Sequence, residues 1–173
     1  MVSGNDELDA LRRRVTVARA RVRALLPAAA DREPPADPQT GERWDRLNIL
    51  GHMSEFPSFW SRELAAAMES GAEFGRRPGS TNRQDAVAGG AKTGEAALKR
   101  QVARGIEDVL ALIIKLQPAD LDRTVNMRGR GEVTVRWALE SLLVGHLEEH
   151  CNQLYALTTR CSGGRAGQSP PAQ

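Results

Sequence analysis

Residues 144–154 read VGHLEEHCNQL and hold two of only three histidines in a chain of 173 residues. His146 and His150 are four apart, so on a helix both rings project from one face about one turn apart. Around them Val135, Leu139, Leu142, Leu143, Leu147, Leu154 and Leu157 recur at the steps of an amphipathic helix. This run predicts a long helix from about Thr134 to Thr159 whose apolar stripe carries both imidazoles toward a core.

Working outward, three further helices are expected. Leu98, Val102, Ile106, Val109, Ile113 and Leu116 mark one over about 93–116, and the run from near Trp44 to Ser70 marks another. That second run contains the third histidine, His52, and also Pro57, where a kink or local break is expected. The first helix spans about Asp6 to Leu26, with Leu8, Leu11, Val15, Ala18, Val22 and Leu25 on its stripe and Asp6, Glu7 and Asp9 suited to its N-terminal dipole. The proline-rich PAAADREPPADPQTG then ends it. Residues 71–90 are rich in Gly, Arg, Ser and Asn and read as a long connection, and QPADLDRTVNMRGRGEV reads as polar loop. Nothing reads as strand. The expected fold is all-α: a four-helix bundle with a long crossover connection between its second and third helices, forming one domain over residues 1–161. Residues 162–173, SGGRAGQSPPAQ, have the composition of a disordered end.

Composition narrows the function classes. The 24 basic and 22 acidic side chains nearly balance, leaving a formal charge of +2 and no electrostatic footprint for nucleic acid. The mean hydropathy of −0.44 and the lack of an 18-residue apolar run argue against a membrane span. The N-terminus shows no basic segment followed by an apolar core, so no secretory signal is expected. Cys151 and Cys161 do not make a disulfide framework. The cytoplasm is the expected compartment.

A buried imidazole needs partners for its nitrogens, because an unsatisfied buried polar group costs about 1–3 kcal/mol. Two rings side by side meet that need together when both bind one cation, and neutral imidazole suits zinc, nickel and iron. His52 shares its helix face with Asn48, Ile49, Glu55, Phe56, Phe59 and Glu63, so it too faces a core. A neighbouring helix would bring it opposite His146 and His150, and three nitrogens leave an open position, as in catalytic metal sites. The plainer alternative is that each histidine is a core residue bonded to a carbonyl, and the residues alone leave both readings open. Two other metal schemes fit poorly. HLEEH matches the inverted zinc-protease pattern, but only 23 residues follow His150, and a further downstream ligand is required. A di-iron centre wants E-x-x-H, whereas positions 143, 147 and 49 are Leu, Leu and Ile.

ILGHMSEFPSFW in the second helix and EVTVRWALESLLVGHLEEHCNQL leading through the fourth resemble the DinB-like superfamily. The resemblance implies a four-helix bundle in which one histidine from the second helix and an H-x-x-x-H pair from the fourth hold a divalent metal. Those positions are His52, His146 and His150. It also implies a protein acting on a small molecule through that metal, zinc before nickel or iron by the donor set above. The class of activity implied is a metal-dependent transferase that activates a low-molecular-weight thiol of the mycothiol or bacillithiol type, or water, toward an electrophile. The abundance of Arg, Ala and Gly suits a GC-rich bacterial genome, in which mycothiol would be the natural thiol. A non-catalytic stress-response protein that binds metal or a small molecule is the alternative; family members are often homodimers, although no surface stripe in this chain demands one.

Other residues acquire candidate roles. Glu149 sits about 60° around the helix from His146, as a hydrogen-bond acceptor for that ring or a proton acceptor; Glu55 is comparable beside His52. Arg128, Arg130 and Arg136 could pair with a substrate or cofactor carboxylate. Cys151 lies about 100° from His150 and reads as an inert buried thiol.

Overall fold

The computed structural model of the chain describes residues 4–25, 34 and 41–158. Helix α1 (Gly4–Ala24) buries Leu8, Leu11, Val15, Ala18 and Val22, the stripe expected from their spacing. Helix α2 (Arg46–Ser70) starts at a reciprocal cap: the Asp45 carboxylate accepts the Asn48 N–H at 2.8 Å, and the Asn48 side chain accepts the Asp45 N–H at 3.1 Å. It ends at Gly71, whose φ of 72° is natural only to glycine. No break occurs at Pro57. The helix runs on through it, and the ring is buried where Gly105 of the facing helix passes; a Cβ on Gly105 would lie 3.2 Å from the Pro57 Cβ.

The segment expected to be a connection between the second and third helices carries a helix of its own, α3 (Asn82–Thr93). It packs backbone against backbone on α2. A Cβ on Gly51 would sit 2.2 Å from the Ala86 carbonyl oxygen, and one on Gly90 would sit 2.2 Å from the Leu47 carbonyl oxygen. Asn48 ties the two together by donating its side-chain amide to the Val87 carbonyl at 3.1 Å. Helix α4 (Glu95–Lys115) follows at once and buries Leu98, Val102, Gly105, Ile106, Val109, Leu112 and Ile113.

After a 3₁₀ turn (Pro118–Asp122) the chain forms strands β1 (Thr124–Met127) and β2 (Gly131–Thr134), an antiparallel hairpin with Val125 opposite Val133. This corrects the loop expected there. The last rod opens with α5 (Val135–Ala138), capped by the Thr134 hydroxyl accepting the Trp137 N–H at 3.1 Å. It passes through a π-helical turn (Leu139–Val144) and continues as α6 (Gly145–Thr158). The long helix expected over this region is therefore real, with one wider turn inside it.

The architecture is an all-α bundle of four long rods, α1, α2, α4 and α5–α6, with a small hairpin at one end. Leu50, Met53 and Phe56 of α2 and Leu143 and Leu147 of the last rod lie wholly buried in its core. Burying each such side chain stabilises the fold by about 1.5–3 kcal/mol. No helix among the described residues is long and apolar enough to cross a membrane. Cys161 and the tail expected to be disordered lie outside the described residues.

Candidate metal centre

His52 comes inward from α2 because Ile49, Met53 and Phe56 set that face against the core. His146 and His150 come inward from α6 beside Leu147 and Leu154. The three rings meet through their Nε2 atoms. His52 Nε2 lies 3.0 Å from His146 Nε2, which in turn lies 3.2 Å from His150 Nε2. Among the described residues the three form a donor group whose ligand atoms lie within 4.8 Å of one another.

Aromatic rings wall the cluster. The Phe56 ring centroid is 5.0, 4.6 and 5.8 Å from those of His52, His146 and His150. Trp44 stands edge-on to His52 at 5.3 Å and nearly parallel to His150 at 6.0 Å. His52 and His150 are 4 % exposed, whereas the His146 side chain is 30 % exposed. The site opens on the His146 side.

Counting protons shows why a cation fits. Gln153 Oε1 lies 2.7 Å from His150 Nδ1, and an amide oxygen only accepts, so Nδ1–H donates to it and Nε2 of the neutral ring is bare. His146 Nε2 thus faces one bare nitrogen and His52 Nε2. If His146 Nε2 carries a proton, it can point that proton well at only one neighbour. If it is bare, it faces His150 lone pair to lone pair. His52 Nδ1 is buried with no hydrogen-bond partner, so nothing pins that ring's tautomer against presenting a bare Nε2. A cation among the three accepts every lone pair at once. Zinc–nitrogen bonds of about 2.0–2.1 Å in tetrahedral array imply nitrogens about 3.3 Å apart, close to the two contacts here.

His52 and His146 are kept neutral. Burial, reinforced by the neighbouring imidazoles and by Arg83 and Arg76, lowers His52 to about 2. Burial again leads in lowering His146 to about 3, with His150, Arg83 and Arg76 adding to it. Neutral imidazole is the ligand form.

The other expected site residues fall differently. Glu149 is exposed, with Oε2 3.8 Å from His146 Nδ1, near that ring but beyond hydrogen-bond length. Glu55 accepts both Arg76 Nη atoms at 2.9 and 2.6 Å. Arg128 bonds Glu73 and the Gly75 carbonyl, each at 2.9 Å. Arg130 lies over the Trp137 ring at 4.2 Å, and Arg136 pairs with Glu7 and Asp122. These three arginines are thus engaged around the hairpin and α1. The cations whose fields reach the imidazoles are Arg76 and Arg83, which sequence reasoning passed over. Arg76 lies on Phe59 at 4.3 Å and Arg83 on Trp44 at 4.9 Å. Cys151 is buried, 3.7 Å from the Ala18 carbonyl, and burial pushes its thiol up to about 11, which makes it a poor nucleophile.

The sequence model of a family described as the DinB superfamily matches residues 16–154, a span containing all three histidines. No curated protein and no solved structure matches the chain.

Proposed function

This chain belongs to the DinB superfamily, and on that footing we propose that His52, His146 and His150 hold one divalent cation, zinc before nickel or iron. We further propose a metal-dependent transferase that presents a low-molecular-weight thiol of the mycothiol type, or water, to a small electrophile. The observation that carries this reading is the meeting of three Nε2 atoms from two helices at 3.0 and 3.2 Å.

A divalent cation held by His52, His146 and His150 would keep its whole charge, with no anionic ligand to offset it, and would lower the pKa of a bound thiol or water toward neutrality. The chain's own residues supply the setting. Gln153 accepts from His150 Nδ1 and so keeps that ring's Nε2 turned inward and unprotonated. Phe56 and Trp44 exclude water from two sides, which strengthens electrostatic interactions inside. Glu149, beside the more exposed ring, is the group placed to take the His146 Nδ1 proton into a hydrogen bond or to receive a proton from an entering thiol. Low-molecular-weight thiols stay reduced in the cytosol, so this reading requires a cytoplasmic location.

Metal-loaded protein incubated with several small thiols and a generic electrophile tests the transfer step. Thioether formation faster than the uncatalysed rate, lost in His146→Ala, is expected. Rates equal to the uncatalysed ones with every thiol would leave a metal- or small-molecule-binding protein without transfer activity.

A further inference from the structure

We propose that Arg14, on α1 and outside the imidazole cluster, is a positioning residue. It holds the π-helical turn in the register that delivers His146 and His150 to the site. The inference deepens the metal-site reading and rests on it for its consequence.

The π turn is built into the sequence. Val135, Leu139, Leu143, Leu147 and Cys151 are buried at steps of four residues. Four residues make about 400° in an ideal α-helix, so such a stripe drifts by about 40° per step. A turn that takes in one extra residue removes about 100° of drift. Here the Gly145 N–H reaches back five residues to the Glu140 carbonyl. A Cβ on Gly145 would lie 2.6 Å from that same oxygen, so the turn needs glycine at the position just before His146.

π turns are rare and poorly stable on their own, and a strained register persists when its surroundings fix it. Arg14 supplies that fixing. Its Nε and Nη2 donate to Glu148 at 2.9 and 2.6 Å, and its Nη1 donates to Glu140 at 2.6 Å. The paired guanidinium holds the Glu148 carboxyl below its usual range. Glu140 lies in the first part of the turn and Glu148 lies beyond it on α6, eight residues on. In an unbroken α-helix they would diverge by about 80°; with one residue absorbed they diverge by about 20°. One guanidinium reaching both carboxylates therefore favours the π register over the α register. Slipping to the α register would rotate α6 by about 100° relative to α5 and carry both imidazoles away from His52.

Cobalt(II) titration of the full chain, read by its visible spectrum, tests this with Arg14→Met, Arg14→Lys and Arg19→Met. Arg19, on α1 like Arg14, pairs with Glu107 of α4 and controls for the loss of a surface ion pair. Arg14→Met should bind cobalt about tenfold or more weakly with an altered spectrum. Arg14→Lys, able to reach one carboxylate but not both, should fall between, and Arg19→Met should match the unmodified chain. Nitrogen-15 spectra of the imidazoles in metal-free protein give the second readout: the His146 and His150 resonances should move in Arg14→Met and not in Arg19→Met. Arg14 variants that match the unmodified chain in both readouts overturn the proposal. If the unmodified chain takes up no cobalt, the metal-site reading fails, while the metal-free spectra still decide the role of Arg14.

Discussion

The Nε2 atoms of His52 and His146 lie 3.0 Å apart across 94 residues of sequence. That approach cannot come from local structure. It requires α2 and α6 to face each other in one register, and the devices that set the register are ordinary ones: a reciprocal cap at Asp45, a glycine on each side of the α2–α3 contact and a glycine that closes the π turn.

The glycine contact between α2 and α3 should tolerate no side chain. In a free helix Gly→Ala gains about 1 kcal/mol, yet a Cβ at residue 51 or 90 meets a carbonyl oxygen at 2.2 Å. Gly51→Ala and Gly90→Ala are each expected to destabilise the protein by about 1–3 kcal/mol, read as a lowered urea midpoint. Gly89→Ala, with open space around it, should leave the midpoint unchanged or raise it.

Gln153→Leu removes the acceptor that keeps His150 Nδ1 protonated. Metal affinity is expected to fall about 10- to 100-fold in competition with a chelator, while far-ultraviolet circular dichroism stays that of the unmodified chain. Equal affinity in the two proteins would mean that some other contact fixes the tautomer.

The metal-free protein should weaken as pH falls through the ordinary histidine range. His52 and His146 are held at about 2 and about 3 when folded, against about 6.5 unfolded. Below 6.5 the unfolded chain binds protons that the folded chain refuses, so their contribution is complete above that value and declines as pH drops. Glu95, held at about 2 chiefly by Arg46, starts to lose its contribution only below about 4.5. Urea midpoints measured between pH 6.5 and 4.5 therefore isolate the histidines, and His52→Phe should flatten the slope.

The four rods and the three inward histidines could be read from the sequence because each rod carries a strong apolar stripe. Helix α3 could not, since NRQDAVAGGAKT buries little beyond Gly90 and attaches through backbone contact rather than side-chain pattern. The hairpin was hidden for a related reason: β1 and β2 bury one residue each, Val125 and Val133, too few to show alternation. The π turn left a faint trace in the four-residue spacing from Val135 to Cys151, which period counting absorbs into an ordinary helix. Arg76 and Arg83 both lie in the segment rich in Gly, Arg, Ser and Asn, where nothing local separates a site arginine from a solvated one. Their nearness to the imidazoles comes from α3 and its approach folding over α2.

The central claim is that residue 52 and the pair on α6 form one cation site. Its most direct test is equilibrium zinc binding to purified, metal-stripped protein, comparing the unmodified chain with His52→Ala and His146→Ala. One equivalent per chain is expected, with affinity reduced at least tenfold in each variant. Failure of the unmodified chain to bind zinc, nickel or iron, or binding that His52→Ala leaves untouched, would contradict the account.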